Sequence, residues 1–217
     1  MAQEIKGVLF DMDGVLIDSM PEHYRAWSMA LGEAGMEVSE EEIYRREGEK
    51  GEVTARDMLK AHGIMITKKR VRHLLDRKEE IFRTSSVIRP FSNAETVVAA
   101  VASLGLPLGL VTGTSAGEMA KVLPEEIRRH FAVFVTGDQV RRGKPNPEPY
   151  LKGIFGLGIQ PGQTLVVENA PYGIQSAKAA GAVCVAIRSY LSDEHLAGAH
   201  FLLDGLDELE PFLREKL

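Results

Sequence analysis

The sequence predicts an α/β protein: a doubly wound, parallel-sheet, Rossmann-like core with an inserted all-helical cap. Three observations predict it. Short apolar runs alternate with helical patterns from residue 90 onward, as parallel strands and their crossovers do. Between about 20 and 84 the spacing is helical with no strand signal. The residues able to do chemistry fall just after strands, the edge where open parallel sheets hold ligands. The expected division is a core over 1–18 and 85–217 and a cap over 19–84.

Each element has its own warrant. Ile5 to Phe10 is apolar, with Val8, Leu9 and Phe10 contiguous, as in a strand covered on both faces. Pro21 opens a helix carrying Tyr24, Trp27, Leu31 and Ala34 at three- and four-residue spacing. Ser39 and Glu42 form a capping-box pattern before Ile43, and a helix with Val53, Met58 and Leu59 on one side is expected to run to Gly63. Thr67 caps a helix holding Val71, Leu74, Leu75, Lys78, Ile81 and Phe82 at helical spacing. Past Pro90, a helix over 92–104 ends at Gly105, and strands are expected at 106–111, 132–135, 164–167, 182–187 and 201–203. Ser115 and Glu118 cap the helix after the first of these.

Composition narrows the function classes. With 217 residues, 44% of them hydrophobic, the chain can build one core of roughly 130 to 150 residues plus a small second unit. A net charge of −5 argues against a polyanion-binding surface, so Lys68, Lys69, Arg70 and Arg72 read as a solvated helix face and no nucleic-acid partner is expected. The one cysteine, Cys184, lies in the apolar run 182–187; it reads as strand core and leaves no disulfide framework within one chain, which fits a reducing cytoplasm. The N-terminus lacks a basic region, and no run reaches the roughly 18 apolar residues of a membrane span. A cytoplasmic monomer with no membrane partner is expected.

The stretch from Val8 to Ser19 organises the rest. Asp11 and Asp13 follow the first strand, and Gly14 lets the backbone turn. A carboxylate nucleophile divides phosphoryl transfer into formation and hydrolysis of an aspartyl-phosphate, while a second acid protonates the leaving oxygen and then activates water. A bare acid pair is also what an acidic turn contains, so the downstream partners decide. Thr112 and Gly113 offer a hydroxyl and bare backbone N–H groups to phosphate oxygens at a strand-to-helix junction. Lys144 stands in Arg142-Gly143-Lys144-Pro145-Asn146-Pro147-Glu148-Pro149, where the prolines stiffen the loop that presents its charge. Glu168 and Asn169 end a further strand with oxygen ligands suited to Mg²⁺.

Asp11-Met12-Asp13-Gly14, Thr112, Lys144 before its proline-rich segment and Glu168-Asn169, in that order, resemble the motifs of the haloacid dehalogenase-like superfamily of phosphotransferases. The resemblance covers essentially the whole chain. It implies Asp11 as nucleophile and Asp13 as general acid/base whose carbonyl also binds Mg²⁺. It further implies Thr112 and Lys144 on phosphate, and Glu168 and Asn169 at the metal. Within the superfamily the chain is most similar to the beta-phosphoglucomutase-like branch, whose histidine matches His23.

Two departures bear on substrate. The sugar-phosphate mutases of the branch have lysine where Glu47 stands and arginine where Gly51 stands, so this cap lacks their anion clamp. Asn169 stands where most relatives have aspartate, which removes a negative charge from the metal site. Glu47 arriving from a closing cap would return one. The combination resembles a pyrophosphate-hydrolysing offshoot of the branch, and inorganic pyrophosphate is the expected substrate, ahead of small sugar or organic phosphates. The alternatives are a sugar-phosphate mutase and, outside catalysis, a phosphate-binding protein.

Overall fold

The computed structural model describes residues 4–84 and 88–216; the extreme N-terminus and the expected cap boundary at 85 lie outside the described residues. Strand β1 (Gly7–Phe10) leads through a tight turn into the short β2 (Ile17–Asp18). The cap follows as α1 (Met20–Gly32), α2 (Glu40–Tyr44), α3 (Gly51–Ala61) and α4 (Lys68–Arg83). Pro21 lies in the first turn of α1, while Ser39 and Thr67 cap α2 and α4 by accepting from the backbone N–H groups of Glu42 and Arg70, each at 3.2 Å. The chain returns through β3 (Arg89–Pro90), antiparallel to β2, so both connections between cap and core are tied into one ribbon.

The core continues as α5 (Ala94–Ser103), β4 (Leu108–Val111), α6 (Ala116–Val122), α7 (Glu125–Arg128), β5 (Phe131–Val135) and α8 (Glu148–Leu157). It ends with β6 (Thr164–Glu168), α9 (Pro171–Ala179), β7 (Val183–Ile187), α10 (Asp193–Leu196), β8 (Phe201–Leu203) and α11 (Leu209–Arg214). Six strands form one parallel sheet in the order β5-β4-β1-β6-β7-β8. The strand order reverses on either side of β1, and its carboxyl end is therefore the switch point where such sheets place ligands.

Both faces of the sheet are covered, which is why β1 reads as a continuous apolar run. Val8 and Phe10 pack with Val98 and Val101 of α5 and Leu209 and Leu213 of α11, whereas Leu9 packs toward Tyr150 and Ile154 of α8 and Ile174 of α9. In the cap, Ala26, Trp27, Ala30 and Leu31 of α1 meet Val71, Leu74 and Ile81 of α4. Lys68, Lys69, Arg70 and Arg72 are exposed, and Cys184 is buried in β7.

Two expectations need correction. The single helix expected after Ser39 is two helices, because Gly48 adopts a left-handed φ of +76° and Arg46-Glu47-Gly48-Glu49-Lys50 offers no apolar side chain to bury. The break makes a turn, fixed by Glu49 accepting from Thr54 Oγ1 at 2.8 Å and by Arg46 meeting Asp57 at 3.2 Å. Val53 is 42% exposed rather than buried with Met58 and Leu59, since helical register from the new start at Gly51 turns it outward. The β2/β3 ribbon left no periodic signal, being two residues long on each side with a proline in one strand.

Candidate active site

Asp11 is the first residue past β1, and its backbone N–H still bonds Val167 O at 2.9 Å, so the side chain is fixed at the strand end. Gly14 then takes φ +79°, and a Cβ on it would lie 2.0 Å from Asn169 Nδ2. Conformation and close approach both require glycine there. The turn carries Asp13 back over the same edge, and both acids are buried.

The tightest feature is a buried ion triplet. Lys144 Nζ donates at 2.6 Å to Asp11 Oδ1 and at 2.6 Å to Glu168 Oε1. The same Glu168 oxygen accepts from Tyr150 OH at 2.6 Å, and the other accepts from the N–H groups of Asn169 and Ala170 at 2.9 and 3.3 Å. A Cβ on Gly173 would lie 1.7 Å from Glu168 Oε1, so the carboxylate uses the space that this glycine leaves. Burial weakens the Lys144 charge, but Asp11 and Glu168 outweigh it and hold the ammonium protonated well above the usual lysine range.

Asp13 has a separate set of donors. Ser19 Oγ reaches Oδ1 at 2.6 Å, and Thr114 Oγ1 and Thr112 Oγ1 reach Oδ2 at 3.1 and 3.3 Å. His23 Nε2 stands 3.7 Å from Oδ1, with its ring stacked on Phe82 and its Nδ1 3.3 Å from Lys78 Nζ. Burial alone would raise the Asp13 carboxyl; the nearby His23 ring, with hydrogen bonds from Ser19 and Thr114, outweighs burial and holds it below the usual carboxylate range. Burial and the neighbouring Lys78 charge lower His23, which favours the neutral imidazole. Asp11 moves the other way: burial, with Glu168 and Asp13 nearby and against the pull of Lys144, pushes it up to about 8.

The cap closes directly over these groups. Gly48 rests on Lys144, where a Cβ would lie 2.4 Å from the lysine Cδ, and against Gly113, where a Cβ would lie 3.3 Å from Gly48 O. Between cap and core is a cavity of about 420 Å³ lined by His23, Trp27, Glu47, Lys78, Thr114 and Ser115, among others. Burial and repulsion from Asp13 and Asp11 push Glu47 well above its ordinary range, against Lys144 and the Gly48 backbone. Lys78 is lowered by burial, opposed by Glu47.

The carboxylates of Asp11, Asp13, Glu47 and Glu168 outnumber the ammonium groups of Lys78 and Lys144, leaving the site short of positive charge. Asp11 Oδ2 and Asn169 Oδ1, at the ends of adjacent strands β1 and β6, are buried with no hydrogen-bond partner. Two orphaned hard oxygens in a negative site fit Mg²⁺. Among the described residues no group of three or more His, Cys, Asp or Glu is arranged to hold a metal ion. Both oxygens of Glu168, also expected at the metal, accept from protein donors here.

A family model described as haloacid dehalogenase-like hydrolase matches residues 5–181. The chain belongs to the haloacid dehalogenase-like hydrolases. Among relatives of this family, hexitol phosphatase A of Escherichia coli is 30% identical, covering 94% of this chain and 93% of that protein. A phosphoglycolate phosphatase of Salmonella typhimurium is 32% identical, covering 97% and 93%. A solved structure from Bacteroides vulgatus, provisionally described as a beta-phosphoglucomutase, superposes with a TM-score of 0.89 at 33% identity, covering 99% of this chain and 90% of that one. The chain is thus a phosphatase-type enzyme with beta-phosphoglucomutase-like structural neighbours.

The structure brings Asp11, Asp13, Thr112, Gly113, Lys144, Glu168, Asn169, His23 and Glu47 to one edge. Thr112 and Lys144, expected on phosphate, bond Asp13 and the two carboxylates here. Sequence reasoning missed Ser19, Thr114 and Tyr150 as partners. Lys78 left a signal, as the one charged residue in the apolar spacing of α4.

Gly173→Ala is expected to drive Glu168 away from Lys144 and lower kcat by about a hundredfold with the fold retained, as steady-state kinetics and circular dichroism would measure. A pH effect also follows. Asp11 binds a proton in the folded, chelated protein up to about pH 8 that the unfolded chain releases near its ordinary value of 3.8. The stability contributed by its raised value is complete below that ordinary value and lost as pH rises through about 8. Calorimetry with EDTA should show the melting temperature falling over the upper part of this window. The increment restored by Mg²⁺ should grow over the same range, since the cation competes with the proton.

Proposed function

We propose that this protein is an Mg²⁺-dependent phosphohydrolase that forms an aspartyl-phosphate on Asp11, with inorganic pyrophosphate as favoured substrate. The observation that carries the reaction class is the Asp11 carboxylate: one oxygen is held by Lys144 and the other is buried and unpaired, with Asp13 beside it. Asp11, Asn169 and the Asp13 carbonyl would hold the cation, which supplies Lewis-acid charge to the transferring phosphoryl group. Lys144 orients Asp11 for in-line attack and places its charge beside the equatorial oxygens. Asp13, ionised in the free site, takes up a proton as the anionic substrate raises its affinity for one. It protonates the leaving oxygen, then removes a proton from the water that attacks the aspartyl-phosphate. The cap turn over Lys144 keeps bulk water out during the first step.

Pyrophosphate is supported by the cap. At Gly51, where the mutases carry arginine, a Cβ would lie 2.8 Å from Leu75 Cδ1, so a side chain there would require Leu75 to shift. The nearby Arg46 is paired with Glu49 and Asp57. What the cap does present is Glu47, which supports added cation charge on a compact polyanion, and Lys78, which faces the leaving group. A second reading, a phosphatase of small sugar or organic phosphates, is supported by the names of the relatives.

Phosphate release with Mg²⁺ should show higher kcat/KM for pyrophosphate than for beta-glucose 1-phosphate or a sugar-phosphate panel, with no glucose 6-phosphate in a coupled assay. Efficient glucose 6-phosphate formation would return the chain to the mutases. Asp11→Asn should cost about a thousandfold or more in turnover. Glu47→Gln should cost about tenfold or more and raise the Mg²⁺ requirement; unchanged turnover would make Glu47 a solvated cap residue.

A further inference from the structure

The cap turn grips the core at a place that takes no part in the chemistry. Lys50 follows Glu47 and Gly48, and its ammonium donates to the carbonyl of Val140 at 2.7 Å. Its stem lies on Gly143, where a Cβ would be 2.9 Å from Lys50 Cγ and 3.5 Å from its backbone nitrogen. One residue further along the core, Lys144 carries Gly48 on its own stem. A single cap turn therefore holds both ends of the segment from Val140 to Lys144. That segment lies between β5 and α8, outside the sheet, and is braced from the far side by the Glu148 carboxylate on the N–H groups of Arg141 and Arg142 at 2.8 and 2.9 Å.

We propose that Lys50 is a closure latch: a positioning residue whose bond to Val140 sets the cap turn on the lysine loop, so that Glu47 and Lys144 reach their working places together. The proposal rests on the reading that this cleft turns over a phosphorylated substrate, and it adds to that reading the contact that fixes the closed cap. The bond joins a cap donor to a core acceptor, so it exists only in the closed form; in an open cap water solvates both groups. A charged donor on a partly buried carbonyl then favours closure by about five- to tenfold. Lys50 does not line the 420 Å³ cavity and makes no side-chain bond to the start of α3, so its replacement removes neither a reacting group nor a helix cap.

The test compares Lys50→Met, Lys50→Arg and Gly143→Ala, the last crowding the same contact from the core side. Closure is read from Trp27, the single tryptophan, which lines the cavity. Its fluorescence is titrated with Mg²⁺ plus pyrophosphate, and with Mg²⁺ plus inorganic phosphate, in an Asp11→Asn background. Lys50→Met should lower kcat/KM for pyrophosphate about five- to tenfold and raise the half-saturation of the Trp27 change by the same factor. Lys50→Arg, which still donates, should recover most of both, and Gly143→Ala should reproduce the loss. Unchanged closure in Lys50→Met overturns the latch, as does a loss of turnover without a matching shift in closure, or no Trp27 change in the parent Asp11→Asn protein with either anion. Failure of the functional reading looks different: the unmodified enzyme releases no phosphate from any substrate, while the inorganic phosphate titration still judges the latch.

Discussion

The structure depends on one ammonium held between two carboxylates. Lys144, Asp11 and Glu168 are all nearly inaccessible to water, and removing such groups from solvent costs several kcal/mol each unless every charge is paired and hydrogen-bonded. Much of the local architecture meets that demand. Tyr150 and two backbone N–H groups complete Glu168, Gly173 leaves the space it occupies, and the prolines around Lys144 stiffen the loop that brings it in. The bond from Lys144 to one of its oxygens gives the Asp11 carboxylate one orientation, as the proposed nucleophile would need.

The second constraint is the sign of the site. With Asp11 ionised the triplet is net negative, Asp13 adds a further charge, and Glu47 arrives from the cap. Closing such a site without a cation brings like charges together in a low-dielectric space, which is why burial and repulsion displace Asp11 and Glu47 upward. The same field gives Lys78 its place: a buried ammonium is costly, and Glu47, Glu79 and Asp13 draw it back toward its charged form. On the proposed reading the polyanion, the cation and the closed cap are therefore mutually dependent, and Asn169 would moderate the demand by presenting an oxygen ligand without a full charge.

The fold was legible because its signals are local. Apolar runs such as Val8-Leu9-Phe10, the caps at Ser39 and Thr67, and the proline at the start of α1 each specify an element from adjacent residues. The site was legible as far as residue types at strand ends announce chemistry, which covers Asp11, Asp13, Lys144 and the pair at 168–169. What could not be read depends on packing across the chain. Tyr150 passes as an apolar helix residue until Glu168 is known to lie against it, and Lys50 as a surface lysine until Val140 is known to face it. The close seat of Gly48 on Lys144 and Gly113 likewise joins residues far apart in the sequence.

The division of labour follows from where these groups sit. On the proposed reading the core supplies the nucleophile, the proton carrier, the ammonium and the orphaned oxygens, which act on the phosphoryl group rather than on what lies beyond it. Discrimination among leaving groups must then come from the cap, and the turn from Arg46 to Gly51 is the part that meets the core. Within it Glu47 would set the charge offered to the substrate, Gly48 sets how closely the cap approaches Lys144, and Gly51 leaves the space that Leu75 fills. A change of leaving group on this scaffold needs more than an altered ligand such as Asn169 at the sheet edge. It needs a different turn, held down at the same place.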